Sequence, residues 1–144
     1  MKLSTRTRYG MRAMIELAQH DGKRPLQLKV IAKRQDISVK YLEQLMTLLR
    51  SAGFVRSVRG SRGGYVLAKS LDEIRVSDIF RCLEGPVTTA ECVEDRDYCV
   101  RASDCIARRV WMQVEEAIDN VLESLTLQDL VDEAKRNNKA EYQI

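Results

Sequence analysis

The sequence predicts a mainly α-helical protein with one small β-hairpin, a winged helix-turn-helix domain followed by a long dimerisation helix. Three observations carry that expectation. Three short apolar helical faces lie within the first fifty residues, the last two separated by a tight polar break. An alternating segment, a glycine-rich turn and a second apolar segment follow directly. Near the end a longer stretch repeats apolar residues at spacings of three and four.

The first helix is expected from about Thr5 to Gln19, with Met11, Met14, Ile15 and Ala18 on one face. His20-Asp21-Gly22 ends it, with Pro25 just beyond. Leu28, Ile31 and Ala32 form the second face. Asp36-Ile37-Ser38 makes the break, and Ser38 is placed to cap a third helix. In that helix Leu42, Leu45, Met46 and Leu49 form the buried stripe, Lys40, Glu43, Gln44 and Thr47 the opposite face, and Gly53 the end.

Two helices joined so tightly describe a helix-turn-helix, whose second helix enters the major groove of double-stranded DNA. Gln44 suits bidentate bonding to adenine, and Glu43 can accept from cytosine N4. Ser38, Lys40 and Tyr41 suit phosphate, aided by the positive end of the helix dipole. Phe54 to Arg59 alternates like a strand, Gly60-Ser61-Arg62-Gly63-Gly64 turns, and Tyr65 to Ala68 returns. Arg59, Ser61 and Arg62 thus sit at the tip of a wing, where a guanidinium can enter a minor groove. No Lys-Ser/Thr ending follows the glycines, which argues against a nucleotide-binding loop.

Charge is divided along the chain. Residues 1–69 carry 15 Lys/Arg against 4 Asp/Glu, whereas residues 70–144 carry 9 against 17. The basic half is therefore the one that attracts a polyanion. No apolar run is long enough to span a bilayer and the amino terminus lacks a secretory core, so a cytoplasmic protein is expected. No nucleophile–base pair is evident and His20 is the only histidine, so no enzyme is expected.

In the acidic half, Leu71 to Ile74 reads as a short turn and Val76 to Leu83 as a short helix stopped by Gly85-Pro86. Residues 87–104 read as a polar loop. A long helix then runs from Asp104 or Cys105 to about Ser124, its seam formed by Ala107, Val110, Val114, Ala117, Val121 and Leu125 and widened by Trp111, Ile118 and Leu122. Such a face predicts an antiparallel or crossed homodimer, and hence a pseudo-palindromic operator with half-sites about one helical turn apart. Thr126 with Asp129 caps a final short helix, and residues 137–144 are polar. The expected domains are a DNA-binding head over 1–84, a cysteine-bearing loop over 85–104, a dimerisation helix with a short terminal helix over 105–136, and a tail over 137–144.

Cys92, Cys99 and Cys105 lie within fourteen residues, spaced C-x6-C-x5-C. Clustered soft thiolates suit a soft metal or an iron–sulfur cluster. Zinc is an alternative, although the wide first gap is unlike zinc modules. A clusterless thiol switch is another: Arg96, Arg101, Arg108 and Arg109 favour thiol oxidation while Glu94, Asp95, Asp97 and Asp104 oppose it. An iron–sulfur electron carrier would use the cysteines but leave the wing and the basic half without a purpose.

Ile37-Ser38-Val39-Lys40-Tyr41-Leu42-Glu43-Gln44, Ser57-Val58-Arg59-Gly60, Gly63-Gly64-Tyr65, the cysteine triplet and the long helix with Trp111 resemble the IscR/NsrR/CymR type of transcription regulators, nearest its iron–sulfur-regulating IscR branch, over residues 1 to 130. The resemblance implies a dimeric DNA-binding regulator of cluster-assembly genes. It implies contacts from Glu43, Gln44 and Arg59, supported by Ser38 and Tyr41, and a cluster, 2Fe–2S favoured over 4Fe–4S, on Cys92, Cys99 and Cys105. The sequence departs from that pattern. Its first cysteine gap is one residue longer, Arg108 stands where IscR-like members have a histidine, and Thr7 and Arg8 stand where NsrR-like members have a carboxylate. The fourth ligand stays open between Cys82, Glu91, Asp97, Asp104, a partner-chain residue and a small thiol. The sign of regulation stays open between activator and repressor.

Overall fold

Helix α1 spans Thr5–Gln19 in a computed structural model that describes residues 1–20 and 24–142. Ser4 caps it, its side chain accepting from the Thr7 N–H. Met14, Ala13, Leu17 and Ala18 face inward. His20 is the C-cap; the expected terminator at Asp21-Gly22 lies outside the described residues.

Helix α2, Leu28–Gln35, buries Ile31 and Ala32. The chain reverses at Asp36, whose φ of 53° is the left-handed conformation, and whose N–H bonds back to Ala32 and Lys33. A short polar side chain bears that conformation better than a branched one would. Helix α3, Val39–Ser51, follows at once, with Ser38 as its cap and Leu42, Leu45, Met46 and Leu49 buried.

Strands β1, Val55–Val58, and β2, Gly64–Leu67, pair antiparallel with Val55 opposite Leu67 and Val58 opposite Gly64. Leu26 adds one rung by exchanging two backbone bonds with Tyr65, at 3.0 and 2.9 Å. Gly63 and Gly64 are required here. A Cβ on Gly63 would collide with the Val58 carbonyl, and one on Gly64 with the Leu26 carbonyl.

Helix α4, Val76–Glu84, buries Val76, Ile79, Phe80 and Leu83. The segment expected as loop carries one turn of helix, α5, Glu91–Glu94, and a 3-10 turn over Arg96–Tyr98. Helix α6, Ile106–Ser124, buries none of its residues. Helix α7, Leu127–Tyr142, is longer than the short helix expected. Thr126 and Asp129 form the reciprocal cap, and Leu127 and Val131 enter the same core as α1 to α4. Past Val131 the chain is rich in Ala, Lys, Arg and Glu, which keep a nucleated helix going without packing. No helix among the described residues is long and apolar enough to cross a membrane.

Candidate nucleic-acid interface and thiol loop

With its apolar stripe buried, α3 turns Lys40, Glu43, Gln44 and Thr47 outward, all exposed. Thr47 Oγ1 donates back to the Glu43 carbonyl at 2.9 Å, leaving the Glu43 and Gln44 side chains free to project. Ser38 is exposed while its hydroxyl accepts from the Tyr41 N–H at 3.1 Å. Tyr41 also packs against α1. It is half-buried, its ring meets Tyr9 edge-on at 6.3 Å, and its hydroxyl donates to Thr5 Oγ1 at 3.3 Å. It therefore clamps α3 against α1 as well as bordering the reading face.

That clamp brings in two basic residues that the motif reading passed over. Arg8 and Arg12, one helical turn apart, lay their guanidinium groups by the Tyr9 ring at 5.9 and 5.6 Å. The only signal in the sequence was the i, i+4 spacing around a tyrosine. At the wing, Arg59, Ser61 and Arg62 are exposed and Gly60 turns with φ 112°. Among the described residues the ion pairs join Arg34 to Glu16 and Arg81 to Asp119 and Glu123. Lys40, Arg59 and Arg62 are in none of them. Exposed basic side chains thus stand at both the helix and the wing.

The head is tied to the long helix by a compact set of bonds. Val76 N–H donates to the Leu125 carbonyl at 2.9 Å and Leu127 N–H to that of Ile74 at 3.0 Å. Arg81 pairs with Glu123 at 2.7 Å and Asp119 at 3.5 Å, and Arg75 donates to the Glu123 carbonyl at 2.9 Å. At the other end of α4, Glu84 accepts from the Ser4 N–H and hydroxyl and from the Thr7 hydroxyl, and these bonds, led by Ser4, hold its carboxyl below the usual glutamate value. Arg6 donates to the Leu83 carbonyl at 2.7 Å.

Helix α6 keeps its apolar seam in solvent: Val110 is 47% exposed, Trp111 44%, Val114 40% and Val121 60%. Its amino-terminal half receives the cysteine segment. Arg108 Nε donates to the Cys92 carbonyl at 2.8 Å. Thr89 N–H donates to Glu115 at 2.6 Å, and its hydroxyl donates to the Trp111 carbonyl at 3.2 Å.

Cys92 is the second residue of α5, Cys99 follows the 3-10 turn and Cys105 stands at the N-cap position of α6 without a side-chain cap bond; all are free and half-exposed. Cys82 is not with them. Its thiol lies 3.8 Å from the Leu48 carbonyl at the edge of the core, and burial raises its pKa against the pull of Arg6. Tyr98 is pushed up by the adjacent Glu91 carboxylate, with Cys92 and Cys99 contributing. Among the described residues, however, no three His, Cys, Asp or Glu side chains gather where they could hold a metal ion.

The family model Rrf2, iron-dependent transcriptional regulator, matches residues 3–133. Three solved structures are similar. CymR, described as the global cysteine regulator of Bacillus subtilis, is 45% identical with a TM-score of 0.78, covering 92% of this chain and 97% of that one. IscR of T. potens is 43% identical with a TM-score of 0.76, covering 93% and 88%. The oxidized form of CymR from Staphylococcus aureus is 40% identical with a TM-score of 0.75, covering 91% and 96%.

These findings correct the cofactor expectation. Likeness to a regulator named for cysteine is as strong as likeness to IscR, so the special nearness to the IscR branch gives way to the family as a whole. The donor set fails as well, because Cys92, Cys99 and Cys105 do not converge with a further ligand. Neither the 2Fe–2S nor the 4Fe–4S cluster fits this arrangement, and zinc meets the same objection.

Proposed function

Because this chain belongs to the Rrf2 family of winged helix-turn-helix transcriptional regulators, we propose that it is a clusterless homodimeric repressor, controlled through its thiols, that binds a pseudo-palindromic operator. The observation that carries the DNA-reading part is the exposed Glu43–Gln44 pair on α3 together with exposed Arg59 and Arg62 at the wing tip, which form no ion pair among the described residues. Gln44 reads adenine by accepting from N6 and donating to N7, and Glu43 accepts from cytosine N4. Arg59 enters the flanking minor groove, with Ser61 and Arg62 on the adjoining backbone. Ser38, Lys40, Tyr41, Arg8 and Arg12 surround the reading helix with phosphate contacts that fix its register.

Pairing along α6 sets two such heads on one face of the duplex, with centres about 34 Å apart. The bonds at residues 74–76 and 125–127 make each head move with its own α6. Any change in how the two helices pair alters the spacing of the heads. The thiol segment rests on α6 through Arg108 and Thr89, where it can exert that control. That a similar regulator has been solved in an oxidized form supports control by oxidation.

The test is fluorescence anisotropy on operators selected from a random DNA pool. Gln44→Ala should cost about 1–3 kcal/mol and relax discrimination at one base pair. Arg59→Ala should weaken binding and its dependence on A·T flanks. Wild-type affinity in both variants would remove the assignment.

A further inference from the structure

A cavity of 390 Å³ lies where the end of α1, the base of the wing and the start of α7 meet, and reading DNA makes no use of it. Leu17 and Ala18 of α1, both buried, form its apolar wall together with half-buried Leu67, the last residue of β2, and Leu71. His20, the C-cap of α1, also lines it, and its Nε2 is buried with no hydrogen-bond partner among the described residues. A buried ring nitrogen without a partner costs free energy, which a ligand that bonds to it recovers.

The mouth of the cavity is polar and open to solvent, with Lys69, Ser70 and Asp72 exposed around it. Ser70 precedes a 3-10 turn, Leu71–Glu73, without a side-chain cap bond, so its hydroxyl is available. Among the described residues neither Lys69 nor Asp72 forms an ion pair, with each other or with any other residue. On the α7 side, Gln128 donates its amide to Asp132 at 2.9 Å, leaving its carbonyl oxygen to accept.

We propose that this cavity is an effector site for a small α-amino acid with an apolar side chain, and that its occupancy strengthens operator binding. A cation and an anion at one mouth match the two charges of a zwitterion. A plain carboxylate would meet Asp72 as a like charge, and a plain amine would meet Lys69 as one. The ligand carboxylate takes Lys69 and the His20 Nε2–H, the ammonium takes Asp72 and the Gln128 carbonyl, and the side chain rests on the apolar wall. The volume falls in the ordinary range of small-molecule sites, about 300–1,000 Å³. The three elements around the cavity belong to different working parts. Helix α1 packs on the reading helix through Tyr9 and Tyr41, β2 carries the wing, and α7 follows the dimerisation helix through the Thr126 cap. A ligand among them fixes the wing relative to α6, an ordering that operator binding otherwise has to impose. This coupling rests on the DNA-reading proposal above; the site itself does not.

The experiment uses the full chain with L-leucine as the probe. Isothermal titration reads binding, amide NMR shifts read its place, and operator anisotropy reads its effect. The expected result is saturable binding, shifts centred on residues 17–20, 67–72 and 128, and an operator Kd tightened about five-fold at saturation. Glycine, which lacks the side chain, and 4-methylpentanoate, which lacks the ammonium, should each bind about ten-fold more weakly or worse. His20→Phe, which keeps the ring volume but removes Nε2, should weaken leucine about ten-fold. Ser70→Trp, a change at the exposed rim, should block leucine and leave the ligand-free operator affinity at the wild-type value. No binding up to about 10 mM leucine, shifts centred elsewhere, equal binding of 4-methylpentanoate, or leucine affinity retained in both variants overturns the site. Leucine binding with no change in operator affinity overturns the coupling. A chain that binds leucine but no operator overturns the DNA-reading proposal and leaves the site standing.

Discussion

Replacing Val114 and Val121 together by aspartate should split the dimer without unfolding the head. Val121 is 60% and Val114 40% exposed in the single chain, and with Ala117, Ile118 and Leu122 they line one shallow apolar groove. Full burial of a valine is worth about 1.5–3 kcal/mol, so pairing that covers the exposed shares returns about 1 kcal/mol at Val121 and somewhat less at Val114. Counted on both protomers this is about 3 kcal/mol, a loss of about a hundredfold in dimer affinity before the burial of charge is added. Stability of the single chain should change little, because α6 contributes nothing to the core. Sedimentation equilibrium should report monomer at micromolar concentration, with a melting temperature near that of the parent measured as monomer. Operator affinity should fall to that of one half-site. A double variant that remains dimeric refutes the assignment of this face. A monomer that binds the whole operator as tightly as the wild type refutes the need for pairing.

Two further outcomes follow from the joints of the head. Glu84 has its folded pKa lowered by Ser4 and Thr7, so its stabilisation is present above the unfolded glutamate value and is lost as pH falls through the folded one. Glu84→Gln should cost about 1 kcal/mol near neutrality, after allowance for its partial exposure, and flatten the acid limb of the stability curve below the unfolded glutamate value; an unchanged acid limb would discount the Ser4–Glu84 tie. Arg81→Ala removes the bridge to Asp119 and Glu123, which is exposed and therefore worth about 0–1 kcal/mol in stability. Its effect should appear instead as faster amide exchange at the α4–α6 junction, and identical exchange would show that the backbone bonds at 74–76 suffice alone.

The head was legible because its signals are local. Ser38 caps α3 at the expected place, and Gly63 and Gly64 of the wing fall where side chains would strike backbone. Leu42, Leu45, Met46 and Leu49 show the stripe in their spacing alone. What the sequence hid was tertiary. Tyr41 has the look of a phosphate ligand, and only its contacts with Tyr9 and Thr5 show a clamp. The start of α7 is announced by the Thr126–Asp129 cap, but its anchoring is not, because Leu127 and Val131 reach the core across from α1 through long-range contacts. The cysteines misled for a related reason. Nearness in sequence fixes how far apart thiols can be, whereas ligation needs their side chains to converge, and that depends on how α5 and the turn after it are folded.

Operator binding by reduced protein prepared with a strong chelator bears most directly on the account, which holds that the head works without an inorganic centre. Tight, salt-sensitive binding that is unaltered by anaerobic treatment with iron and sulfide is the predicted result. Binding that arises only after that treatment, together with visible absorption that disappears in Cys92→Ser, would contradict it.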